Sequence, residues 1–232
     1  MAVLWQAIGN GAGVGGQATP WPTHVADDIG ILAVETDNET FIPSGWTQLA
    51  NSPQSTGGTR LNVFWKRAAS NAETQAEGFF PVDHRYGRII TFRGAAPVGS
   101  PIDVTAGGVK AVGSTATSID GVTAAEDGND VLYITTRDND SGGAVNWSLP
   151  INANLSSVTE RGEGGTVNGN GGGIGFWTGS LATAGATGTL TATSVSTIVE
   201  GFICIAFLVA GRELQPPRTI ERIPMLGKRR IG

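Results

Sequence analysis

The sequence predicts an all-β protein: a two-layer antiparallel β-sandwich, of the jelly-roll or immunoglobulin-like kind, with an extended C-terminal arm. Composition is the first reason. Charged residues make up 15% of the chain, against about 25% in ordinary globular domains. Glycine fills 35 of 232 positions, and Thr and Ser are abundant. That mix suits strands and tight turns and leaves little to hold a helix. Periodicity is the second reason: apolar residues alternate or cluster in short runs bounded by Gly, Pro, Asn and Asp, and helical spacing is nearly absent. The third is recurrence. About ten such runs follow one another, as two packed sheets require. A chain of 232 residues, 40% apolar, can bury one continuous core.

In chain order, strands are expected near Ile29–Glu35, Trp46–Ala50, Leu61–Ala68 and Gly87–Phe92. Later ones fall near Ser118–Thr123, Asp130–Thr136, Ser156–Arg161, Gly173–Gly179, Thr187–Ser196 and Glu200–Ala210. The runs Val131–Ile134 and Ile203–Val209 are apolar at consecutive positions, the mark of central strands covered on both faces. Leu61–Lys66 has one apolar face, with Trp65 placed to pack against the other sheet or a loop. Two stretches stand apart. Gly9–Gly16 reads as a flexible loop and Gly162–Gly173 as a long exposed connection. The chain divides into a glycine-rich N-terminal segment (1–24), a sandwich domain (25–210) and a basic, proline-containing arm (211–232).

Bulk properties narrow the function classes. A formal net charge of −5 argues against a nucleic-acid partner. The single cysteine, Cys204, sits in the run Phe202–Phe207 and reads as a small buried apolar residue. A chain with no intrachain disulfide is expected to mature in a reducing cytoplasm. Met1–Asn10 lacks the basic start and long apolar stretch of a leader. The most apolar segment, Ile198–Ala210, is too short to cross a bilayer and contains Glu200, so membrane insertion is not expected.

Motifs that carry chemistry are incomplete. Gly11–Gly16 matches the glycine spacing of a dinucleotide loop, but Pro20 and Pro22 block the helix whose N-terminus would hold the pyrophosphate. Asp138–Gly142 opens like a calcium loop and lacks the bidentate Glu at the twelfth position. His24 and His84 are the only histidines, too few for a local zinc set. Asp83-His84 invites a triad reading, but no activated serine context accompanies it, so a loop histidine beside a carboxylate is expected. Glu160 and Glu163 have the residue type of a glycosidase pair without flanking aromatic platforms and read as solvated carboxylates. No catalytic, cofactor-binding or metal-binding residue is therefore assigned, no cofactor is expected, and an enzyme ranks last among the functions. Of the six tryptophans, Trp65 and Trp177 read as sheet positions. Trp5, Trp21 and Trp147 lie beside Pro or polar turns and are candidate surface aromatics.

Three blocks carry a resemblance: Asp28–Glu35, Ile42–Leu49 and Gly58–Ala68, followed by Arg88–Gly94, Ser156–Arg161 and Gly171–Phe176. Over roughly residues 25 to 210 the chain resembles a group of tailed-bacteriophage virion proteins, often described as minor tail or structural proteins. The resemblance implies a β-sandwich displayed on a virion and assembled in the host bacterial cytoplasm. It supplies no catalytic residues. The implied role is a minor tail or tail-adaptor component; capsid decoration is the alternative, and a receptor- or carbohydrate-binding virion module a further one. Other virion proteins and copies of the same chain are the expected partners, with a host surface glycan as an additional candidate.

The arm lies outside the resemblance. Residues 211–232 hold six basic residues against two acidic ones, a net of +4 that leaves −9 on the preceding 210 residues. Pro216, Pro217 and Pro224 bar it from a central strand. Arg218, Arg222, Lys228, Arg229 and Arg230 suit an acidic surface, and Ile220, Ile223, Met225 and Leu226 supply apolar contacts. Such a segment docks by ordering on a partner. Truncation after Gly211 is expected to leave cooperative melting intact and to reduce incorporation into particles; normal incorporation would reject a docking arm.

Overall fold

The computed structural model describes residues 2–13, 18–39, 42–76, 83–139 and 147–210. The arm, with its candidate contacts from Arg218 to Arg230, lies outside the described residues, as do residues 14–16 of the first glycine-rich stretch and 140–142 of the calcium-like loop. The first strands are β1 (Leu4–Ile8), β2 (Ile29–Thr36), β3 (Thr47–Gln48), β4 (Gln54–Thr56), β5 (Thr59–Arg67), β6 (Arg85–Arg93) and β7 (Ile102–Ile119). They are followed by β8 (Thr123–Ala124), β9 (Asn129–Arg137), β10 (Trp147–Ile151), β11 (Ser156–Thr166), β12 (Gly172–Leu181), β13 (Gly185–Ala186) and β14 (Leu190–Phe207). No helix occurs among the described residues.

One six-stranded sheet runs β1-β6-β2-β5-β3, with β4 also on β5. The second runs β10-β14-β9-β12-β11, with β7 also on β14, and β8 and β13 form a short ribbon. Every strand pair is antiparallel. The two-sheet antiparallel sandwich is thus as expected.

Alternation along the strands divides the apolar residues among three cores. Ile31, Val63, Ile90 and Phe92 of the first sheet meet Leu132, Ile134, Phe176, Ile205 and Phe207 of the second. At the centre the Phe92 and Phe207 rings lie 4.4 Å apart. The opposite face of the second sheet presents Val131, Tyr133, Trp177 and Cys204 to a second core. The opposite face of the first sheet presents Leu32, Val34, Phe64 and Ile89 to a third, covered by Trp21, Trp46 and Ala76. Hence β2 and β9 are buried along their whole length, and Cys204 is a free, buried thiol.

What closes the second core is an elbow. Strands β7 and β14 are each 18 residues long and pair on both sides of a bulged break. The C-terminal half of β14 pairs with β9, and its N-terminal half pairs with β10. Between the halves, β14 carries residues 194–197 against a single residue of β7, and β7 then carries 111–113 against a single residue of β14. Opposed bulges bend both strands, and the far half brings Ile119, Trp147, Leu190 and Ala192 onto Tyr133 and Trp177.

Three expectations need correction. Thr187–Ser196 and Glu200–Ala210 are one bent strand, not two. Ser118–Thr123 belongs to the end of β7 and the start of β8, and most of β7 was not anticipated. Gly162–Gly173 is no long exposed connection: β11 runs through Thr166 and β12 resumes at Gly172. The glycines there serve close approach. A Cβ on Gly164 would stand 2.0 Å from the Tyr86 hydroxyl, and one on Gly11 would stand 1.9 Å from the same atom. Both glycine-rich stretches therefore converge on one phenol, which has no room beside any larger residue.

Gly164→Ala should destabilise the protein by about 1–3 kcal/mol through this overlap. Tyr86→Phe in the same chain should recover part of the loss, measured by denaturant melts of the single and double variants. Full additivity of the two changes would contradict the slot.

Candidate functional site

A buried polar cluster ties the two sheets together at one end. Glu35, next to last in β2, has no solvent exposure. Its Oε1 accepts the Thr59 hydroxyl from β5 at 3.0 Å and lies 3.0 Å from His84 Nε2. The other ring nitrogen, Nδ1, is 3.2 Å from Asp83 Oδ2. That Asp83 oxygen also accepts the backbone N–H of Asn170, in the turn between β11 and β12, at 2.8 Å. The second sheet makes room in return: a Cβ on Gly172 would stand 2.1 Å from Glu35 Oε2. Arg137 of β9 adds positive charge from the same side.

Two carboxylates around one imidazole favour its cation. Although burial works against any charge, Glu35 and Asp83 raise the His84 pKa to about 9. Burial pushes Glu35 upward, while the His84 and Thr59 hydrogen bonds pull it back. His84 lies in the loop just before β6 and takes Asp83 as its neighbour, as expected; what the sequence did not show is that it is buried and bridges to a second carboxylate, Glu35. In residue type the chain Asp83–His84–Glu35 resembles an acid–base relay. The hydroxyl at its inner end, Thr59, donates to the carboxylate and is itself fully buried. The chemistry this geometry performs is cohesion: a chain of charge-assisted contacts from β2 and β5 to the β11–β12 turn.

A second buried carboxylate holds the elbow. Glu200 lies at the bend of β14 and accepts the Thr117 hydroxyl of β7, which in turn accepts Trp147 Nε1 of β10 at 3.0 Å. Burial pushes its pKa up to about 7, against the lowering pull of the Thr117 hydrogen bond and the Lys110 charge. Glu160 and Glu163 both lie on β11 and feel each other's charge. They are not simply solvated: Glu163 Oε2 accepts the Trp147 N–H at 3.0 Å, and burial beside Glu163 raises Glu160 to about 7.

The three candidate surface aromatics do not share a site. Trp147 is 1% exposed, a correction to its expected place at the surface. Its indole fills the second core edge-on to Trp177 at 5.6 Å, with its N–H spent on Thr117. Trp5 is half-buried under the Arg161 guanidinium, 4.2 Å from the ring centroid. Trp21 is half-buried on the outer face of the first sheet, 4.8 Å from the His24 ring and 5.4 Å from Trp46.

Exposed aliphatic side chains gather instead on the elbow's strands. Leu149 and Ile151 of β10, Val195 in the bulge of β14, and Val109 and Val112 of β7 all stand in solvent, Val112 at 84%. Sequence reasoning missed those of β10 and β7 because β10 and most of β7 were not recognised as strands, and it missed Val195 because the bulge in β14 was not foreseen. Leu149 is the unusual one. It is 74% exposed and holds φ at +55°, where the β10–β14 register shifts. A side chain bearing Cβ adopts that region at a cost of about 1–2 kcal/mol.

The cluster makes stability depend on pH. Because the His84 pKa is raised, its contribution is whole below the ordinary histidine value of 6.5 and is lost as pH rises through about 9. Denaturant melts across that range should show stability falling toward alkaline pH. His84→Gln should flatten the slope and cost about 3–5 kcal/mol at neutral pH by stranding Glu35. An unchanged slope in the variant would refute the assignment.

Compared with known proteins, the chain matches no family model, no curated protein and no solved structure.

Proposed function

We propose that the chain is a structural component of a bacteriophage virion, a minor tail or tail-adaptor protein, acting by assembly contacts and not by catalysis. The sequence resemblance over the sandwich region supports the virion setting. The two-sheet antiparallel architecture supports the accompanying idea of a jelly-roll or immunoglobulin-like display module.

The observation that carries the assembly role is Leu149. The chain holds a large apolar side chain in a left-handed conformation and turns it into solvent, where it gains nothing from its own fold. Strained backbone of this kind clusters at functional positions, and an exposed apolar side chain there is suited to a contact. Exposed Ile151 ends the same strand, Val195 sits on the adjacent β14, and Val112 lies on β7, which pairs with β14. This flank would meet other virion proteins or further copies of the chain. The basic arm 211–232 would be a second contact, made to an acidic surface.

Leu149→Gly separates stability from assembly. Relief of the left-handed strain against the entropy of glycine should leave the isolated protein unchanged or up to about 1 kcal/mol more stable. Incorporation into particles should nevertheless fall. A variant that assembles normally would reject the flank as the contact surface. Quantifying the wild-type chain in washed particles tests the wider reading: a few to tens of copies mark a tail component, hundreds mark capsid decoration, and absence rejects both.

A further inference from the structure

Residues 18–24 and 71–76 cross the outer face of the first sheet side by side. Thr19 and Ala76 form an isolated antiparallel bridge, with N–H···O=C bonds of 3.1 and 2.9 Å in the two directions. Beyond the bridge the segments part and leave an open groove of about 580 Å³. That is within the range of roughly 300–1,000 Å³ usual for small-molecule sites. Pro20, Trp21 and Pro22 give one side of it three apolar rings, and Thr23, Asn71 and Gln75 add polar groups.

The groove's wall is held by hydrogen bonds and its carboxylate is paired. The His24 ring is pinned at both nitrogens: Nδ1 donates to the Pro22 carbonyl at 2.7 Å and Nε2 accepts the Glu73 N–H at 3.2 Å. Packed on the Trp21 ring, it fixes the wall. The one carboxylate among the lining residues, Glu73, is engaged by Lys66 at 2.6 Å and by the Ala69 N–H at 2.7 Å. By contrast, Asn71, Gln75 and Thr23 are exposed, and no hydrogen bond to another described residue engages their side chains.

Those features select a ligand class. An anion would find no free cation among the lining residues, and a cation would find Glu73 already paired. A purely apolar ligand would cover two amides without satisfying them, which costs free energy. A neutral pyranose fits both halves: its C–H face lies on the pyrrolidine rings and on the part of the indole that His24, Trp46 and Gly30 leave exposed, while adjacent hydroxyls meet amides that donate and accept at once. We propose that the groove between residues 20–24 and 71–75 is a binding site for an uncharged sugar unit of a glycan. This goes beyond the assembly role and stands independently of it, since it lies on the first sheet and draws on none of the β7, β10 or β14 flank.

The test uses the full chain and the methyl glycosides of glucose, galactose, mannose and N-acetylglucosamine, followed by saturation-transfer NMR. At least one glycoside should bind saturably. The double variant Asn71→Ala, Gln75→Ala should weaken it by about tenfold or more, the worth of one or two hydrogen bonds. Both side chains are exposed, so melting should be unchanged and a folding defect is separable from a binding one. Three results would overturn the proposal: no neutral glycoside binds; binding survives the double substitution; or an acidic sugar such as methyl sialoside binds in preference.

Discussion

Glu35 is a carboxyl group with no solvent exposure, and the alignment of the two sheets depends on how it is satisfied. Strand β2 is buried at every position, with Ile31 and Ala33 facing one core and Leu32 and Val34 another. A one-residue slip of such a strand exchanges one apolar face for the other, so hydrophobicity alone sets its register weakly. The carboxylates at its ends do not tolerate the exchange. Asp28, also without exposure, accepts Arg93 Nε and Nη2, each at 2.7 Å, and Glu35 takes Thr59 and His84. Displacing either would leave a buried charge against hydrocarbon, at a cost of several kcal/mol. Polar groups at both ends thus make a specific alignment out of a nonspecific apolar preference.

The same logic operates at the elbow. A strand that leaves its neighbours must bend, and the bulges at 111–113 and 194–197 provide the bend without deciding where the far half comes to rest. The hydrogen-bonded run from Glu200 through Thr117 to Trp147 joins three strands at that corner. It sets Trp147 edge-on to Trp177, so that the apolar contents of the second core close over the outer face of β9 and β12. Interior carboxylates therefore act twice in this fold as positional markers.

Those interior duties sharpen the reading of the outside. Of the acidic groups, Glu35, Glu163 and Glu200 serve the scaffold through hydrogen bonds to neighbouring strands. The surface features left over are of a different kind: unstrained, neutral, ring-lined walls in the groove on the first sheet, and strained or bulged aliphatics on the flank of the second. One suits a small polar ligand with an apolar face, the other an extended partner surface. The two lie on different sheets, so one molecule has room to use both at once.

The sequence by itself determined the class of fold and its central strands. The expected strands at 29–35, 61–68 and 130–136 became β2, β5 and β9, and the consecutive apolar runs at 131–134 and 203–209 fall in β9 and across the end of β14, because a strand covered on both faces favours apolar residues at successive positions. It also placed Cys204 in the interior. Strand β7 was illegible for the converse reason. Its Gly, Ala, Ser and Thr side chains are mostly half-buried or exposed and carry no alternation, and its conformation comes from pairing with β14 and not from its own pattern. Likewise β10 is five residues with a left-handed leucine inside it, and nothing local announces a strand. Asp83-His84 was visible as a pair, but its significance required Glu35, 49 residues away along the chain, at 3.0 Å. Glycines at 11, 164 and 172 read as slack because a sequence records only what glycine lacks. Only the tertiary structure supplies Tyr86 and Glu35, the side chains that occupy the space where a Cβ would be.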